Sequence, residues 1–159
     1  MTEVIRYAIG DATAPSERPA IIAHICNTVG GWGAGFVVAL SRRWSEPERT
    51  YRERHRAVGS VLGTVQVVEV EPGLWVANMV AQHGIGHGWG RRPPIRYDAL
   101  RQCLEQVAGT ARDLGATIVG PRFGAGLAGG DWAQVEAIIE ETCAEVPVTI
   151  YDLPDPLTP

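Results

Sequence analysis

Apolar and polar positions along the chain fall into blocks that predict strands and helices in turn. Strands are predicted at residues 4–9, 20–26, 64–70, 74–80, 117–119 and 148–151. The segment 20–26 is a continuous apolar run, which is typical of a strand covered on both faces of its sheet. Residues 64–70 alternate and are rich in valine, and the Pro72-Gly73 turn that follows predicts a hairpin with the next strand.

Helices are predicted between these strands. From Tyr97 to about Leu114, apolar residues recur every three or four positions, and Gly115 ends the pattern. Ser45 and Glu48 have the spacing of a capping box, which predicts the start of another helix. This helix is predicted at residues 45–58, and the remaining helices are predicted at residues 36–44 and 132–143.

This order of elements predicts an α/β protein, a three-layer α/β/α sandwich around a mixed, mostly parallel central sheet. At 159 residues and 45% hydrophobic content, the chain is long enough for one buried core and too short for two comfortable domains. We therefore expect a single domain over residues 1–153. Residues 154–159 contain three prolines and are expected to form a flexible tail.

Two glycine-rich segments, residues 27–35 and 120–131, each lie between a predicted strand and a predicted helix. Glycine allows close approach of a ligand, so backbone N–H groups beside a helix N-terminus can converge on phosphate oxygens. Because ligands of such sheets bind at the carboxyl ends of strands, the two segments predict one cleft for an elongated polyanion such as a diphosphate. The second segment lacks the Gly-Lys-Ser/Thr ending of a Walker loop, and a plain glycine connection remains the alternative.

Charge and cysteine content narrow the classes of function. A net charge of −4 argues against sequence-independent binding of duplex nucleic acid, which needs many contacts with phosphates. Arginines at residues 42–56 are interleaved with glutamates, which predicts a solvated, salt-bridged helix face. The cysteines Cys26, Cys103 and Cys143 are widely spaced in apolar patterns, as in a reduced compartment. With no leader pattern and no apolar run of membrane-spanning length, we expect a cytoplasmic protein without membrane contact.

The four histidines have different surroundings. His83 and His87 lie on a predicted loop with no third ligand nearby, so we expect no metal site, and no cofactor is indicated. His55, on the arginine-rich helix, is expected at the surface. His24 is the polar member of an apolar strand, and it is either a buried neutral histidine or an acid or base acting near the end of that strand.

The order and spacing of four segments resemble the macrodomain family over nearly the whole chain. The segments are residues 10–13, 23–27, 31–35 and 120–127. Within the family, the chain most resembles the branch that contains the terminal ADP-ribose protein glycohydrolase and the yeast ADP-ribose phosphate phosphatase. The resemblance implies a macrodomain fold and a pocket for ADP-ribose, with adenine at Asp11, the diphosphate between the two glycine loops and the distal ribose beside Asn27.

Carried over residue by residue, the resemblance also implies the ligand-binding positions. These are Asp11, Ala12, Asn27, Gly31, Trp32, Gly33, Ala34, Gly35, Phe36, Arg122, Phe123, Gly124, Ala125, Gly126, Leu127 and Tyr151. The Asp11 carboxylate can accept from the adenine amine, and the amides of residues 33–36 and 124–127 can hold phosphate oxygens. Tyr151 is the aromatic residue expected to pack on adenine.

The catalytic residues of that branch are only partly present. The glycohydrolase uses a lysine at the strand end here marked by Gln82, but this chain contains no lysine, and Ala128 stands where the glycohydrolase has an aspartate. We therefore expect a water-mediated reaction without a covalent intermediate. Asp131 is a candidate carboxylate or, as the first residue of Asp-x-x-Gln, only a helix N-cap. The candidates for catalysis are Asn27, Gln82, His83, His24 and Asp131.

Three functions are compatible with these residues. The first is hydrolysis of ADP-ribose from a modified acidic side chain of a protein, whose labile ester needs little more than oriented water. The second is a phosphatase acting at the distal ribose, and the third is a reader that binds ADP-ribose without catalysis. The expected partner is ADP-ribose or an ADP-ribosylated protein, and nucleic acid is expected only as an ADP-ribosylated substrate.

Overall fold

The computed structural model describes residues 4–84, 94–125 and 129–154. Within these ranges, six strands and four helices follow one another in the order that the sequence predicts. The strands are β1 (Ile5–Ile9), β2 (Ala20–Asn27), β3 (Val65–Glu71), β4 (Leu74–Gln82), β5 (Thr117–Gly120) and β6 (Val148–Asp152). The helices are α1 (Phe36–Arg43), α2 (Glu46–Val58), α3 (Tyr97–Leu114) and α4 (Trp132–Thr142).

The strands form one mixed sheet in the order β1-β6-β5-β2-β4-β3. β1, β6, β5, β2 and β4 are parallel, and β3 joins the edge as the antiparallel half of the predicted hairpin. Parallel strands direct their carboxyl ends to one edge of the sheet, so the segments that follow β1, β2, β4 and β5 meet there.

A layer of helices covers each face of the sheet. Alternate residues of β2 show the division, since Ile21 and Ala23 pack with α3 and α4, whereas Ile22 and Cys26 pack with α1 and α2. The predicted stripe of α3 is buried at Leu100, Leu104 and Val107, among other positions. The predicted α/β/α sandwich is therefore confirmed. None of the helices in the described ranges has the length and apolar character needed to cross a membrane.

Helix α2 differs from its sequence prediction in three respects. Ser45 precedes the helix but its side chain makes no capping hydrogen bond, so the predicted capping box does not form. The expected network of salt bridges is reduced to one ion pair within the helix, between Arg52 and Glu48 at 2.8 Å. His55 is half-buried rather than a plain surface residue, because its ring stacks on the buried ring of Tyr51.

Candidate functional site

The loop that follows β2 is organised by the side chain of Asn27, the last residue of that strand. Its Oδ1 atom accepts hydrogen bonds from the amides of Val29 and Gly31, both at 3.0 Å, and its Nδ2 atom donates to the carbonyl of Gly31 at 2.9 Å. Tyr51 adds a third donor to the same residue. Asn27 thus shapes the loop, and its Oδ1 atom has no capacity left to accept from a water molecule.

The end of this loop presents an open helix N-terminus. Gly33, Ala34 and Gly35 are exposed, and Gly35 occupies the N-cap position of α1 with φ of 82° and no side chain to cap the helix. No acidic residue lies in the first turn of α1, which begins at the half-buried Phe36. Uncapped amides and the positive end of the helix dipole favour an anion at this place.

Trp32 does not face the cleft with its side chain. The ring is 5% exposed and packs between His24 and Tyr51, at centroid distances of 5.3 Å and 5.5 Å. Its Nε1 atom donates to Ser41 at 2.7 Å. As a ligand-binding residue, Trp32 is therefore restricted to its main chain, and its indole instead anchors the loop to α1.

His24 is a buried neutral residue rather than an acid or base at the surface of the cleft. It is 1% exposed, and its Nε2 atom lies 2.6 Å from Oδ1 of Asn78. Asn78 uses its amide nitrogen to donate to the carbonyl of Pro47, so its Oδ1 atom must be the acceptor and the His24 nitrogen the donor. Burial lowers the pKa of His24 from 6.5 to about 4, although the bond to Asn78 opposes this shift.

The loop after β5 lies beside the loop after β2, because β5 and β2 are neighbours. Its ends are joined by a hydrogen bond of 2.6 Å from the amide of Gly130 to the carbonyl of Gly124. A Cβ atom at Gly130 would lie 2.1 Å from that carbonyl oxygen, so only glycine fits there. Phe123 is buried against Trp132, whereas Ala125 is half-buried. The predicted contacts at Gly126 and Leu127 lie outside the described residues.

Arg122 is held on the far side of this loop. Its Nε and Nη2 atoms donate to the two carboxylate oxygens of Asp152 at 2.8 Å and 3.1 Å. The guanidinium also lies over the rings of Tyr7 and Trp132, at 5.0 Å and 5.2 Å. The ion pair raises the pKa of Arg122 and lowers that of Asp152, so its charge is largely engaged within the protein. A ligand would therefore have to compete with Asp152 for the guanidinium of Arg122, which the sequence predicts to bind the ligand.

Asp11 lies in the turn after the edge strand β1, at the same carboxyl edge of the sheet as the two glycine loops. One carboxylate oxygen, Oδ1, accepts from the amide and the hydroxyl of Thr13 at 2.8 Å and 2.7 Å. The other oxygen lies 3.5 Å from the guanidinium of Arg43, and the Asp11 side chain as a whole is about half-exposed. Partial burial raises the pKa of Asp11, but the bonds from Thr13 and the charge of Arg43 outweigh it and leave the pKa lowered. Asp11 therefore offers a charged, oriented acceptor, whereas the neighbouring Ala12 is buried.

Tyr151 lies beside the turn that carries Asp11. A Cβ atom built at Gly10 would lie 3.2 Å from the edge of the Tyr151 ring. The Tyr151 hydroxyl donates to the carboxylate of Glu17, which fixes the direction of the ring. Hydrogen bonds from Tyr151 and other donors outweigh partial burial and lower the pKa of Glu17.

Gln82 is the last residue of β4, next to Asn27, and His83 follows it. Asn27 and Gln82 are register partners, and the hydroxyl of Thr28 accepts from the amide of Gly84 at 3.0 Å. The Nε2 atom of Gln82 donates to the carbonyl of Gly84 at 2.9 Å, and its side-chain oxygen makes no hydrogen bond within the described ranges. His83 is exposed. The structure thus brings these three candidates together, as the sequence predicts.

Asp131 has the N-cap arrangement that the sequence offers as an alternative to catalysis. Its Oδ1 atom accepts from the amide of Ala133 at 3.0 Å, at the start of α4. The reciprocal bond of a capping box does not form with Gln134, because the Asp131 amide donates instead to the hydroxyl of Tyr97 at 2.9 Å.

A separate cavity of about 470 Å³ lies at the opposite edge of the sheet, where β1, β5 and β6 begin; its lining includes Val4, Thr117 and Val148. It is remote from both glycine loops. In the part of the chain that the structure describes, no cluster of histidine, cysteine and acidic side chains is suited to a metal ion.

Sequence patterns did not identify the residues of α2 that hold the loop after β2 in place. Tyr51, Arg52 and His55 of α2 all contact the loop after β2. Tyr51 is the one large hydrophobic residue among the charged residues in the middle of α2, and this feature was the available signal.

Known proteins with a similar sequence and fold add to this description of the site. No family model matches the chain. A solved structure of a protein of unknown function from Bacteroides thetaiotaomicron is 50% identical, with a TM-score of 0.89 over 94% of this chain and 98% of that one. A macrodomain protein from Streptomyces coelicolor is 49% identical, with a TM-score of 0.80 over 93% of this chain and 98% of that one.

Two curated relatives are more distant. The ADP-ribose 1''-phosphate phosphatase of Lodderomyces elongisporus is 23% identical over 86% of this chain and 91% of its own length. The ADP-ribose glycohydrolase OARD1 of Bos taurus is 25% identical over 94% of this chain and 91% of its own length.

Proposed function

The chain belongs to the macrodomain family, and from this premise we propose that its cleft binds ADP-ribose and that the protein is a hydrolase that releases ADP-ribose from modified acidic side chains of proteins. The observation that carries this proposal is the pair of glycine loops at the carboxyl ends of the adjacent strands β2 and β5. The loop after β2 ends in an uncapped helix N-terminus. Such a site suits a diphosphate held by backbone amides.

The proposed ligand spans the carboxyl edge of the sheet. Asp11 and Tyr151 supply a charged acceptor and an aromatic ring for the adenine at one end. The amides of Gly33 to Phe36 and of the loop after β5 hold the diphosphate. The distal ribose then lies at the ends of β2 and β4, beside Asn27 and Gln82. This order follows the order of the strands, since β2 and β4 lie on the opposite side of β5 from β1.

The proposed reaction is attack by water on the anomeric carbon of the distal ribose. The bond between that carbon and the ester oxygen breaks, the side chain leaves as a carboxylate, and the water proton passes to a nearby acceptor or to solvent. No lysine exists to form a covalent adduct with the sugar. Because Asn27 already accepts from the loop amides and from Tyr51, the side-chain oxygen of Gln82 and the imidazole of His83 are the acceptors best suited to orient the water.

A phosphatase reaction at the distal ribose is the second candidate, and the names of relatives in Lodderomyces elongisporus and other yeasts favour it. The buried position of His24 weighs against this candidate in the form that uses His24 as acid or base. A non-catalytic reader is the third candidate, for which the absence of lysine is the supporting observation.

The three candidates are separated by one set of measurements on a single preparation. Calorimetry with ADP-ribose tests binding, and turnover of a glutamate-linked ADP-ribosyl protein is compared with turnover of ADP-ribose 1''-phosphate. We expect binding and turnover of the protein substrate. Binding without either turnover leaves only the reader, and absence of binding refutes the proposal as a whole.

Asp11→Ala serves as the site-directed part of this test. Loss of the charge-assisted bond to adenine should weaken ADP-ribose binding by about 1.5–3 kcal/mol. Glu69→Ala, on the edge strand β3 at the far side of the sheet, is the matched removal of a carboxylate and should leave binding unchanged. Unchanged affinity in folded Asp11→Ala would remove Asp11 from the adenine site.

A further inference from the structure

Helix α2 carries a row of arginines on the side that faces the loop after β2. Arg49, Arg52 and Arg56 follow one another at intervals of three and four residues, so they share one side of the helix. Arg52 identifies that side, because its Nη1 atom donates to the carbonyl of Gly30 at 3.1 Å. We call Arg49, Arg52 and Arg56 the arginine row.

The outer members of the arginine row have no acidic partner. Arg49 and Arg56 are exposed, and neither makes a hydrogen bond or ion pair with the described residues. Residues 42–56 contain six arginines and three glutamates, an excess of three positive charges in a protein whose net charge is −4. Two guanidinium groups without an acidic partner, on either side of the paired Arg52, favour an anionic partner on an otherwise acidic protein.

Two exposed valines lie close in sequence to residues that α2 contacts. Val29 and Val61 are 53% and 59% exposed. Val29 precedes Gly30, whose carbonyl accepts from Arg52, and Val61 follows Ser60, whose hydroxyl lies 2.9 Å from the Nδ1 atom of His55. The surface beside the loop after β2 therefore combines positive charge with apolar side chains.

We propose that the arginine row and these valines form a docking surface for an acidic segment of the protein that carries the ADP-ribose. The inference rests on the proposed function, which places the distal ribose, and hence the emerging acceptor chain, at the loop that Arg52 contacts. Guanidinium groups pair with carboxylates of the segment, and the valines bury its apolar side chains.

This chemistry fits an acidic polypeptide better than a nucleic acid. Binding of a single nucleic acid strand draws on aromatic side chains that stack with bases. Among the large exposed hydrophobic residues of the described ranges, the one aromatic residue is Tyr7, which lies on the edge strand β1 on the other side of the cleft. Valine side chains gain little from a phosphate backbone but gain from apolar side chains of a peptide.

The experiment measures binding of a fluorescein-labelled synthetic peptide of glutamate and valine, without ADP-ribose, by fluorescence anisotropy. The test variant is the double charge reversal Arg49→Glu/Arg56→Glu. The control is Arg54→Glu, which changes an exposed arginine of the same helix on the flank facing β3, where the carbonyl of Thr50 one turn earlier accepts from Gln66.

We expect the wild-type protein to bind the peptide more weakly as the salt concentration rises. The double reversal should weaken binding about ten-fold or more, and Arg54→Glu should leave it nearly unchanged. Val61→Ser should weaken peptide binding with the salt dependence retained. Equal peptide affinity in wild type and the double reversal, or an equal loss in Arg54→Glu, overturns the proposal.

Two further measurements separate this inference from others. An oligothymidine of the same length is tested in parallel, and tighter binding of this oligonucleotide that the double reversal abolishes would assign the surface to nucleic acid and overturn the proposal. Calorimetry with ADP-ribose should give the same affinity in all variants. If the wild-type protein binds the peptide through the arginine row but does not bind ADP-ribose, the proposed function fails and the docking surface stands as a peptide-binding site.

Discussion

The phenolic oxygen of Tyr51 lies 2.5 Å from the main-chain oxygen of Asn27 and 3.0 Å from its side-chain oxygen. The tyrosine is 1% exposed, and its ring packs between Trp32 and His55. Tyr51 of α2 thereby holds Asn27 in place, and Asn27 in turn shapes the loop after β2. The loop is organised before any ligand arrives, and this lowers the entropic cost of binding there.

We predict that Tyr51→Phe weakens ADP-ribose binding although Tyr51 itself has no place in the cleft. The substitution keeps the ring and removes the hydrogen bond to Asn27, which should cost about 1–2 kcal/mol of unfolding free energy. Amide hydrogen exchange should become faster at Val29 and Gly31, because both amides donate to the side-chain oxygen of Asn27. Denaturant unfolding, hydrogen exchange and calorimetry measure the three effects.

Tyr7→Phe is the control for the removal of a tyrosine hydroxyl. The Tyr7 hydroxyl donates to Glu136 at the opposite edge of the sheet, away from the loop after β2. It should leave hydrogen exchange in that loop unchanged. If Tyr51→Phe also leaves exchange and affinity unchanged, Tyr51 merely packs in the core.

The sequence predicts the layers of this protein well because they depend on periodicity. The stripe of α3 and the apolar run of β2 each identify a buried face, and parallel strands then bring the two glycine loops together. The direction of single side chains is a different matter. Trp32 lies in a loop without periodicity, so its burial follows from Ser41, His24 and Tyr51, which come from other elements.

The charges of α2 show the same limit. Interleaved arginines and glutamates predict salt bridges. Other pairs on α2, such as Arg49 and Glu53, also have suitable spacing, but only Glu48 and Arg52 pair within the helix. Likewise, the Asp-x-x-Gln pattern at Asp131 predicts a capping box, and Tyr97 from α3 takes the bond that would have completed it. Long-range partners decide these details, and local spacing does not report them.

We predict that Gly33→Ala weakens ADP-ribose binding without destabilising the protein. A Cβ atom at Gly33 meets nothing within 4 Å, so the protein itself tolerates the methyl group. A diphosphate held closely by the loop amides would collide with it. Calorimetry and thermal unfolding measure the two effects.

Gly109→Ala is the matched control, since Gly109 lies within α3 and also has free space at its Cβ position. It should stabilise the protein by roughly 0.5–1 kcal/mol through helix propensity and leave affinity unchanged. Normal ADP-ribose affinity in Gly33→Ala would place the diphosphate away from the loop after β2.

We predict that Asp131→Ala costs about 1 kcal/mol of stability through loss of the N-cap and leaves turnover per folded molecule nearly intact. Asp131→Ser, which retains a capping oxygen, should restore most of the stability. Denaturant unfolding and turnover of the glutamate-linked substrate are measured on the same samples. Elimination of turnover at full stability would instead assign Asp131 the role of a catalytic carboxylate.

The last prediction concerns the dependence of stability on pH, to which buried His24 contributes. Burial lowers the pKa of His24 to about 4 in the folded protein, below the 6.5 of an unperturbed histidine. Between these two values the unfolded chain binds a proton at His24 and the folded protein does not. Stability is therefore complete above about pH 6.5 and falls as the pH decreases toward about 4, by on the order of 3 kcal/mol for this group.

His24→Gln isolates this contribution, because the glutamine amide can still donate to Asn78 and carries no titrating group. The pKa values of four carboxyl groups are also lowered, those of Asp11, Glu17, Glu48 and Asp152. These groups affect stability only at lower pH, below about their ordinary pKa values of 3.8 for aspartate and 4.5 for glutamate, where protonation removes their hydrogen bonds. Denaturant unfolding from about pH 7.5 to about pH 5 should thus show a smaller decrease in His24→Gln than in the wild type. The control is His83→Gln, at an exposed histidine, and an equal decrease in wild type and His24→Gln would mean that His24 is protonated in the folded protein as readily as in the unfolded chain.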